Sequence, residues 1–378
     1  MTGAGRDVVI TGLGTVSAFG RGADALRQGL AAGRAAFAPV DRFATDRYRT
    51  GVAAALPGSP DLDEELRRVV AEACDQAGLG PGERARVPLL LARHADPAVA
   101  RRPLAAQGKT AVSDTAAELA RACGLRGPAR TYTNACVAAG TALAEAAVWI
   151  RGGREDRVVV SAGYLVDEDN FALFSAGRAL APDGVLRSFS ARRRGLLLGD
   201  GVGAVVLESS AAAAARGARP LAVLSGWGLA GDAHHVCQPH PEGLGMARAI
   251  GAALAKAGLA PQDIGYVNAH GTGTPHNDAA ETAALRRALG DAADTTPVSS
   301  TKSLHGHALE ASGMLELAVT VLALRHGELP VNAGHLGPDP DCSLDLVLGE
   351  PRRAAPRHAL SLNAAFGGAN TALVVSTP

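Results

Sequence analysis

The chain has 378 residues, 47% hydrophobic and 20% charged, with 37 basic and 37 acidic side chains. That is enough chain for two or three domains, and the composition is that of an ordinary soluble globular protein. A formal net charge of +0 argues against nucleic acid or an anionic membrane as the main partner. The five cysteines (Cys74, Cys123, Cys136, Cys237 and Cys342) are scattered and never form a CxxC pair. They predict no disulfide framework and fit a reducing, cytoplasmic setting. The amino-terminal residues lack the apolar stretch of a signal peptide, and no run of about 18 apolar residues predicts a membrane span.

Residues 8–14, Val-Val-Ile-Thr-Gly-Leu-Gly, read as a buried strand ending in a Gly turn. The pair Gly12-x-Gly14 carries little dinucleotide signal, because no second strand with an acidic residue follows. Helices are predicted over 22–33 and over 62–78, where Leu62, Leu66, Val69, Val70 and Cys74 recur at helical spacing before Gly78. Further helices are predicted at about 113–124 and 137–151, the latter stopped by Gly152-Gly153. Residues 157–163 and 202–208 read as buried strands, and 164–200 between them as mostly irregular.

The segment 209–220 reads as a surface connection. Beyond it come strand 221–227, helix 244–258, strand 265–269, helix 276–289, strand 296–300, helix 310–326 and strands near 358–363 and 371–376. Strands alternating with helices predict a sheet with parallel pairs and helices on its faces. The similar order of the two parts predicts a duplicated α/β unit, residues 1–210 and 211–378.

Three segments carry the chemistry. Cys136, in Thr133-Asn134-Ala135-Cys136-Val137, follows an extended stretch and opens a helix, a setting that stabilises a thiolate and offers backbone N–H groups to an oxyanion. His270 lies in Asn268-Ala269-His270-Gly271-Thr272-Gly273-Thr274-Pro275, at a strand-to-loop junction where catalytic side chains sit in α/β sheets. Thr272 and Thr274 there can hydrogen-bond an amide-rich arm such as phosphopantetheine. In Lys302-Ser303-Leu304-His305-Gly306-His307, His307 is the site candidate and His305 is structural, and Lys302 can pair with Glu316. One thiol and two imidazoles are the inventory of acyl-thioester chemistry.

Two other clusters carry less. His234, His235, Cys237 and His240 match no usual zinc spacing and read as a loop wall beside the active site, so no metal is expected. Arg192, Arg193 and Arg194 with Arg151, Arg154 and Arg157 could dock an acidic carrier or form a solvated face.

Together these segments resemble the β-ketoacyl-acyl-carrier-protein synthases of fatty-acid and type II polyketide assembly. The likeness runs from Val9-Ile10-Thr11-Gly12-Leu13-Gly14 through Ala135-Cys136, Gly199-Asp200-Gly201, Asp232-Ala233-His234-His235 and both histidine motifs to Ala365-Phe366-Gly367-Gly368-Ala369-Asn370. It implies a thiolase fold, five layers α-β-α-β-α built from two related halves. It implies a homodimer, or a heterodimer with a related subunit, and an acyl carrier protein as partner. No cofactor is implied beyond the phosphopantetheine that carries the substrates.

By position, Cys136 takes the acyl group, and His270 and His307 assist decarboxylation of a malonyl unit and stabilise the enolate. Lys302 and Glu316 hold the histidine region. Phe366 gates the acyl pocket, and its N–H with that of Cys136 forms the oxyanion hole.

Some positions depart from the family. Ala365 replaces a Gly and restricts the gate, and Ser188-Phe189-Ser190 and Arg193-Arg194-Gly195 replace Pro-Phe-Asp and Arg-Asp-Gly. Ala162-Gly163-Tyr164-Leu165 replaces Gly-Gly-Ala-Glu, Glu310 stands where a small residue is usual, and about 88–130 is short. These point to a specialised pathway. The competing readings are acyl transfer to an amine or alcohol without decarboxylation, and a non-catalytic chain-length partner.

Overall fold

The computed structural model describes residues 5–94 and 112–378. Strand β1, Val8–Ser17, is buried along its whole length. Its glycines are there for packing: a Cβ on Gly12 would lie 1.9 Å from the Ala73 carbonyl oxygen, and one on Gly14 would lie 2.2 Å from that of Val69. Helix α2 (Leu62–Gln76), which follows α1 (Ala23–Ala31), therefore presses directly on the strand. Asp61 caps α2 by accepting from the Glu64 N–H, and Leu66, Val69, Val70, Ala73 and Cys74 form its buried stripe.

The remaining amino-terminal strands are β2 (Leu89–Arg93), β3 (Ala129–Tyr132), β4 (Arg157–Tyr164) and β5 (Gly201–Ser209). Between them lie α3 (Val112–Ala122), α4 (Ala138–Arg151) and α5 (Glu168–Ala176). The carboxy-terminal strands are β6 (Ala222–Gly231), β7 (Ile264–Asn268), β8 (Val298–Ser299), β9 (His358–Ala365) and β10 (Ala369–Ser376). Helices α6 (Leu244–Ala257), α7 (Pro275–Leu289) and α8 (Ser312–His326) accompany them.

The spatial order is β3-β2-β4-β5-β1 in the first set and β8-β7-β9-β10-β6 in the second. In both sets the first three strands run parallel and the last two antiparallel. The two sets thus share one topology. They join where Val9 and Ile10 of β1 meet Val223 and Ala222 of β6.

Helix α8 has thirteen of its fifteen residues buried, Ser312 through Leu324, as a helix covered on all sides must. It packs on α4, on β5 of the first set and on β9 of the second, while α2 covers β1 and β5, and α6 covers β6 and β10. The succession is outer helices, sheet, α4 with α8, sheet, outer helices: the five-layer thiolase fold.

Three sequence expectations change. Strand β2 was not expected. The stretch 164–200 contains helix α5, which Asp167 caps by accepting from the Asn170 N–H and which Phe171 and Phe174 anchor in the core. The connection at 209–220 contains a short helix, Ser210–Ala215, capped by Ser209. Of the segment thought short for the family, about 88–130, residues 95–111 lie outside the described residues. Among the described residues no helix is long and apolar enough to cross a membrane.

Candidate active site

The two sets of strands bring their ends together at one point. Strand β3 ends at Tyr132, and the chain turns through Ala135, whose φ of +53° is a left-handed value that a Cβ-bearing residue resists. That turn swings Cys136 onto a single 3₁₀ turn, Ala135–Val137, at the head of α4.

From the other half, His270 follows β7, and His307 follows the one-turn helix Lys302–His305. Cys136 Sγ lies 3.1 Å from His307 Nε2. The rings of His270 and His307 meet edge to face, with centroids 5.4 Å apart.

Each imidazole is held by backbone. The N–H of His307 donates to the Leu197 carbonyl at 2.8 Å, and its carbonyl accepts from Gly199 at 3.0 Å. This crossing works because a Cβ on Gly199 would sit 2.0 Å from the His305 oxygen and one on Gly306 2.6 Å from that of Leu198. Gly306 also carries a φ of +75°.

The next residue in the run, Asp200, anchors the other side. It accepts from the Leu56 and Val166 N–H groups at 2.7 Å and from Arg42 at 2.5 Å.

On His270 the grip comes from carboxylates and a lysine. Glu281 accepts the N–H groups of His270 and Gly271, both at 2.7 Å. Asp278 takes those of Phe189, at 2.7 Å, and Gly273, at 3.2 Å. Burial pushes the Asp278 carboxyl up to about 6 and that of Glu281 up to about 7. Lys302 Nζ donates to the His270 carbonyl at 2.7 Å and ion-pairs with Glu316, both side chains fully buried. The second Glu316 oxygen accepts from Asn363 at 2.6 Å. Burial lifts the Glu316 carboxyl above its ordinary range, against the pull of Lys302.

Burial, reinforced by the charge of Lys302, also holds both imidazoles far below their usual value. Both are neutral at neutral pH. Burial, with Glu310 adding to it, pushes the Cys136 thiol up to about 12. Burial thus opposes the thiolate that the head of α4 favours. At rest the pair is a neutral thiol against a neutral imidazole.

A cavity of about 650 Å³ opens onto this pair, lined among others by Cys136, His270, His307, Thr272, Thr274 and Phe366. The two threonine hydroxyls bond each other at 2.9 Å. Cys237 and Pro239 line the same cavity, so the His/Cys loop is a wall of the site. It is tied to the Phe366 hairpin: Gly367 N–H donates to the Val236 carbonyl at 2.8 Å, and Asp232 N–H to that of Gly368, also at 2.8 Å.

Phe366 stands 56% exposed at the tip of the β9–β10 hairpin, stacked on Phe174 at 6.1 Å. Gly367 and Gly368 carry the left-handed φ values there, +85° and +73°. Ala365 belongs to β9, opposite Ala369, so its methyl group strains nothing.

The six arginines do not form one patch. Arg151 stacks on Trp227 and Arg154 on Trp149, while Arg157 is bonded to Glu208 at 2.7 Å. Arg193 is buried against Asp339 at 2.7 Å. Only Arg194, of the six, lines the cavity, together with Arg178.

Sequence reasoning missed Glu281, Asp278, Asn363 and Ser312. Ser312 Oγ lies 2.8 Å from His307 Nδ1. A hydroxyl five positions beyond a candidate histidine, at a helix start, was the available signal. Glu310, noted only as a departure, bonds His94 Nδ1 at 2.9 Å, and its other oxygen is buried without a partner among the described residues.

The model of the "Beta-ketoacyl synthase, N-terminal domain" matches residues 75–213, and that of the C-terminal domain matches 221–335. "Nodulation protein E" of Rhizobium meliloti is 37% identical over 97% of this chain and 98% of that protein. A solved ishigamide ketosynthase/chain length factor superposes with a TM-score of 0.91 at 32% identity, covering 99% of this chain and 100% of the other. A type II polyketide acyl-carrier protein in complex with its ketosynthase, bound to the hexaketide, provides a chain that superposes at 0.90 with 26% identity, covering 99% of each. The chain belongs to the β-ketoacyl synthase family, condensing acyltransferases of the thiolase fold.

Proposed function

We propose that this protein performs the decarboxylative Claisen condensation of an acyl thioester with a malonyl unit in a specialised type II polyketide or fatty-acid-like pathway. The observation that carries this reading is the 3.1 Å approach of Cys136 Sγ to His307 Nε2 with His270 edge-on beside it. In the proposed cycle Cys136 attacks the incoming thioester and the pantetheine thiol leaves. A malonyl thioester then enters, its carboxylate departs as carbon dioxide, and the electron pair is held as an enolate by His270 and His307. The carbanion attacks the Cys136 thioester, whose oxyanion is met by the N–H groups of Cys136 and Phe366, and the sulfur is released. Splitting the coupling into transfer and condensation is the benefit of the covalent step. Lys302 and Glu316 act by fixing the His270 loop.

Both substrates arrive on phosphopantetheine, along the cavity that Thr272 and Thr274 line, with an acyl carrier protein as donor. The exposed Arg178 and Arg194 at that cavity suit an acidic carrier. The ketosynthase relative seen with its carrier supports the same partner. β3 is the outermost strand of its set and only partly buried, which suits a dimer with an identical or related subunit. Five free cysteines suit the cytoplasm.

The presence of Cys136, His270 and His307 favours a synthase over a chain-length partner, which lacks the nucleophile. The test is mass spectrometry of the protein after incubation with acyl-pantetheine, then with malonyl-carrier. An acyl adduct on Cys136, followed by carbon dioxide and a β-keto product, is expected. An ester or amide formed without carbon dioxide would replace this reading with simple acyl transfer.

A further inference from the structure

We propose that Ser312 is a positioning residue that fixes His307 as its Nε2–H tautomer, the form in which the ring can donate a proton-bearing nitrogen toward the reacting atoms. Ser312 is 1% exposed, and its Oγ has one partner among the described residues, His307 Nδ1 at 2.8 Å. Although Ser312 opens α8, its hydroxyl caps nothing: the helix has no side-chain cap.

Donor counting then decides the direction. If Nδ1 carried the proton, Ser312 would accept it, and the buried serine O–H would have no acceptor. If Ser312 donates to Nδ1, hydroxyl and ring are both satisfied, and the donor left unmade is the Cys136 S–H facing Nε2, a far weaker donor than a hydroxyl and so the cheaper one to leave without a partner. The neutral ring must therefore carry its proton on Nε2, the nitrogen 3.1 Å from Cys136 Sγ.

This rests on the condensing reading for its consequence. With sulfur acylated, Nε2–H is free to donate to the malonyl thioester oxygen while the carboxylate carbon leaves as carbon dioxide and its electron pair moves onto that oxygen. The turn that presents both residues is short and strained, with Leu309 at a φ of +42° between them. The sequence supplies the hydroxyl at the one position, five residues on, where it reaches the back of the ring.

The experiment uses the full-length protein with ¹⁵N-labelled histidine, comparing wild type, S312A and S312T. In the wild type, the His307 signals, identified by their loss in H307Q, show the Nε2–H pattern. In S312A they show a mixture or the Nδ1–H form, and carbon dioxide release from malonyl-pantetheine falls roughly tenfold. Acylation of Cys136 by acyl-pantetheine does not fall with it and rises as the Nδ1–H form is populated, because only that form leaves Nε2 open to take the thiol proton. S312T, which keeps the hydroxyl, restores both tautomer and release. An Nδ1–H wild-type spectrum, or an S312A spectrum and release rate unchanged from wild type, overturns the assignment. A wild type that releases no carbon dioxide sinks the condensing reading alone, and the spectra still judge Ser312.

Discussion

Lys302 Nζ stands 2.7 Å from the backbone oxygen of His270, not from its ring. The lysine therefore governs where the imidazole sits, and its charge adds to burial in keeping the ring neutral, while Glu316 on the opposite side keeps the ammonium from being an isolated charge in the core. Breaking one half of such a pair is costly because the other half stays buried. Lys302→Met is expected to lose about 3–5 kcal/mol of stability. The double variant Lys302→Met/Glu316→Gln should recover a large part of it without recovering condensation. Denaturant unfolding of the three proteins checks this, and a double variant no more stable than the single one refutes it.

Glu310 sets the reactivity of the thiol. After burial it is the foremost influence holding Cys136 in its protonated form. Glu310→Gln is expected to move the thiol titration to lower pH and to raise the rate of iodoacetamide alkylation at Cys136 roughly three- to tenfold. His94→Gln removes the partner whose own titration Glu310 lifts, so it should slow alkylation. Peptide mass spectrometry reads both rates, and effects of the same sign in the two variants would refute the pairing.

His305 predicts the acid limb of stability. Its ring is buried between Thr301 and the Gly306 carbonyl, at 3.0 Å each, and burial drives it from 6.5 down to about 3. Below pH 6.5 the unfolded chain gains a proton that the folded one refuses, so the stability from this group is complete above 6.5 and is lost as pH falls toward 3. At pH 5 the loss from this residue is about 2 kcal/mol. His270 and His307 are shifted in the same direction. His305→Gln should start less stable at pH 7 and lose less on going to pH 5, and an unchanged slope in urea midpoints would refute the assignment.

In the Phe366 hairpin the left-handed turn falls on Gly367, not on position 365. Gly367→Ala places a Cβ at a φ of +85°, and is expected to slow loading from acyl-pantetheine at least severalfold while leaving iodoacetamide access to Cys136 intact. Ala365→Gly should cost about 0.5–1 kcal/mol as a glycine in a strand and leave loading unchanged. Stopped-flow thiol release separates the two. A faster Ala365→Gly would show that the methyl group does restrain the hairpin.

The sequence made the alternation of strands and helices legible because buried strands such as 157–163 and 202–208 are built around apolar runs, Val158–Val160 and Ala204–Leu207. The capped, striped helix at 62–76 was legible for the same kind of reason. Strand β2 escaped because Leu89–Arg93 is a five-residue apolar run too short to be told from a helix by its periodicity, and α5 because its stretch is punctuated by Asp, Arg and Gly.

Cys136 stood out at the mouth of a helical run and His270 and His307 through flanking glycines, and the reason for Gly306 is now visible where its backbone crosses Leu198 and Gly199 of the other half. Side chains acting through backbone, Glu281 and Asp278, could not be read in advance. Nothing in a lone carboxylate on an ordinary helical stretch says that it will cap a loop from inside. The arginine clusters misled for a related reason: neighbours in the chain, such as Arg192 and Arg193, face opposite ways once folded.

The two five-stranded series repeat one plan, yet the sulfur comes from the first and both imidazoles from the second. Neither module owns a working fragment of the chemistry. In a chain cut between them the sulfur has no imidazole beside it, and it also loses the cover and the Glu310 charge that raise its titration, so it falls back toward an ordinary thiol.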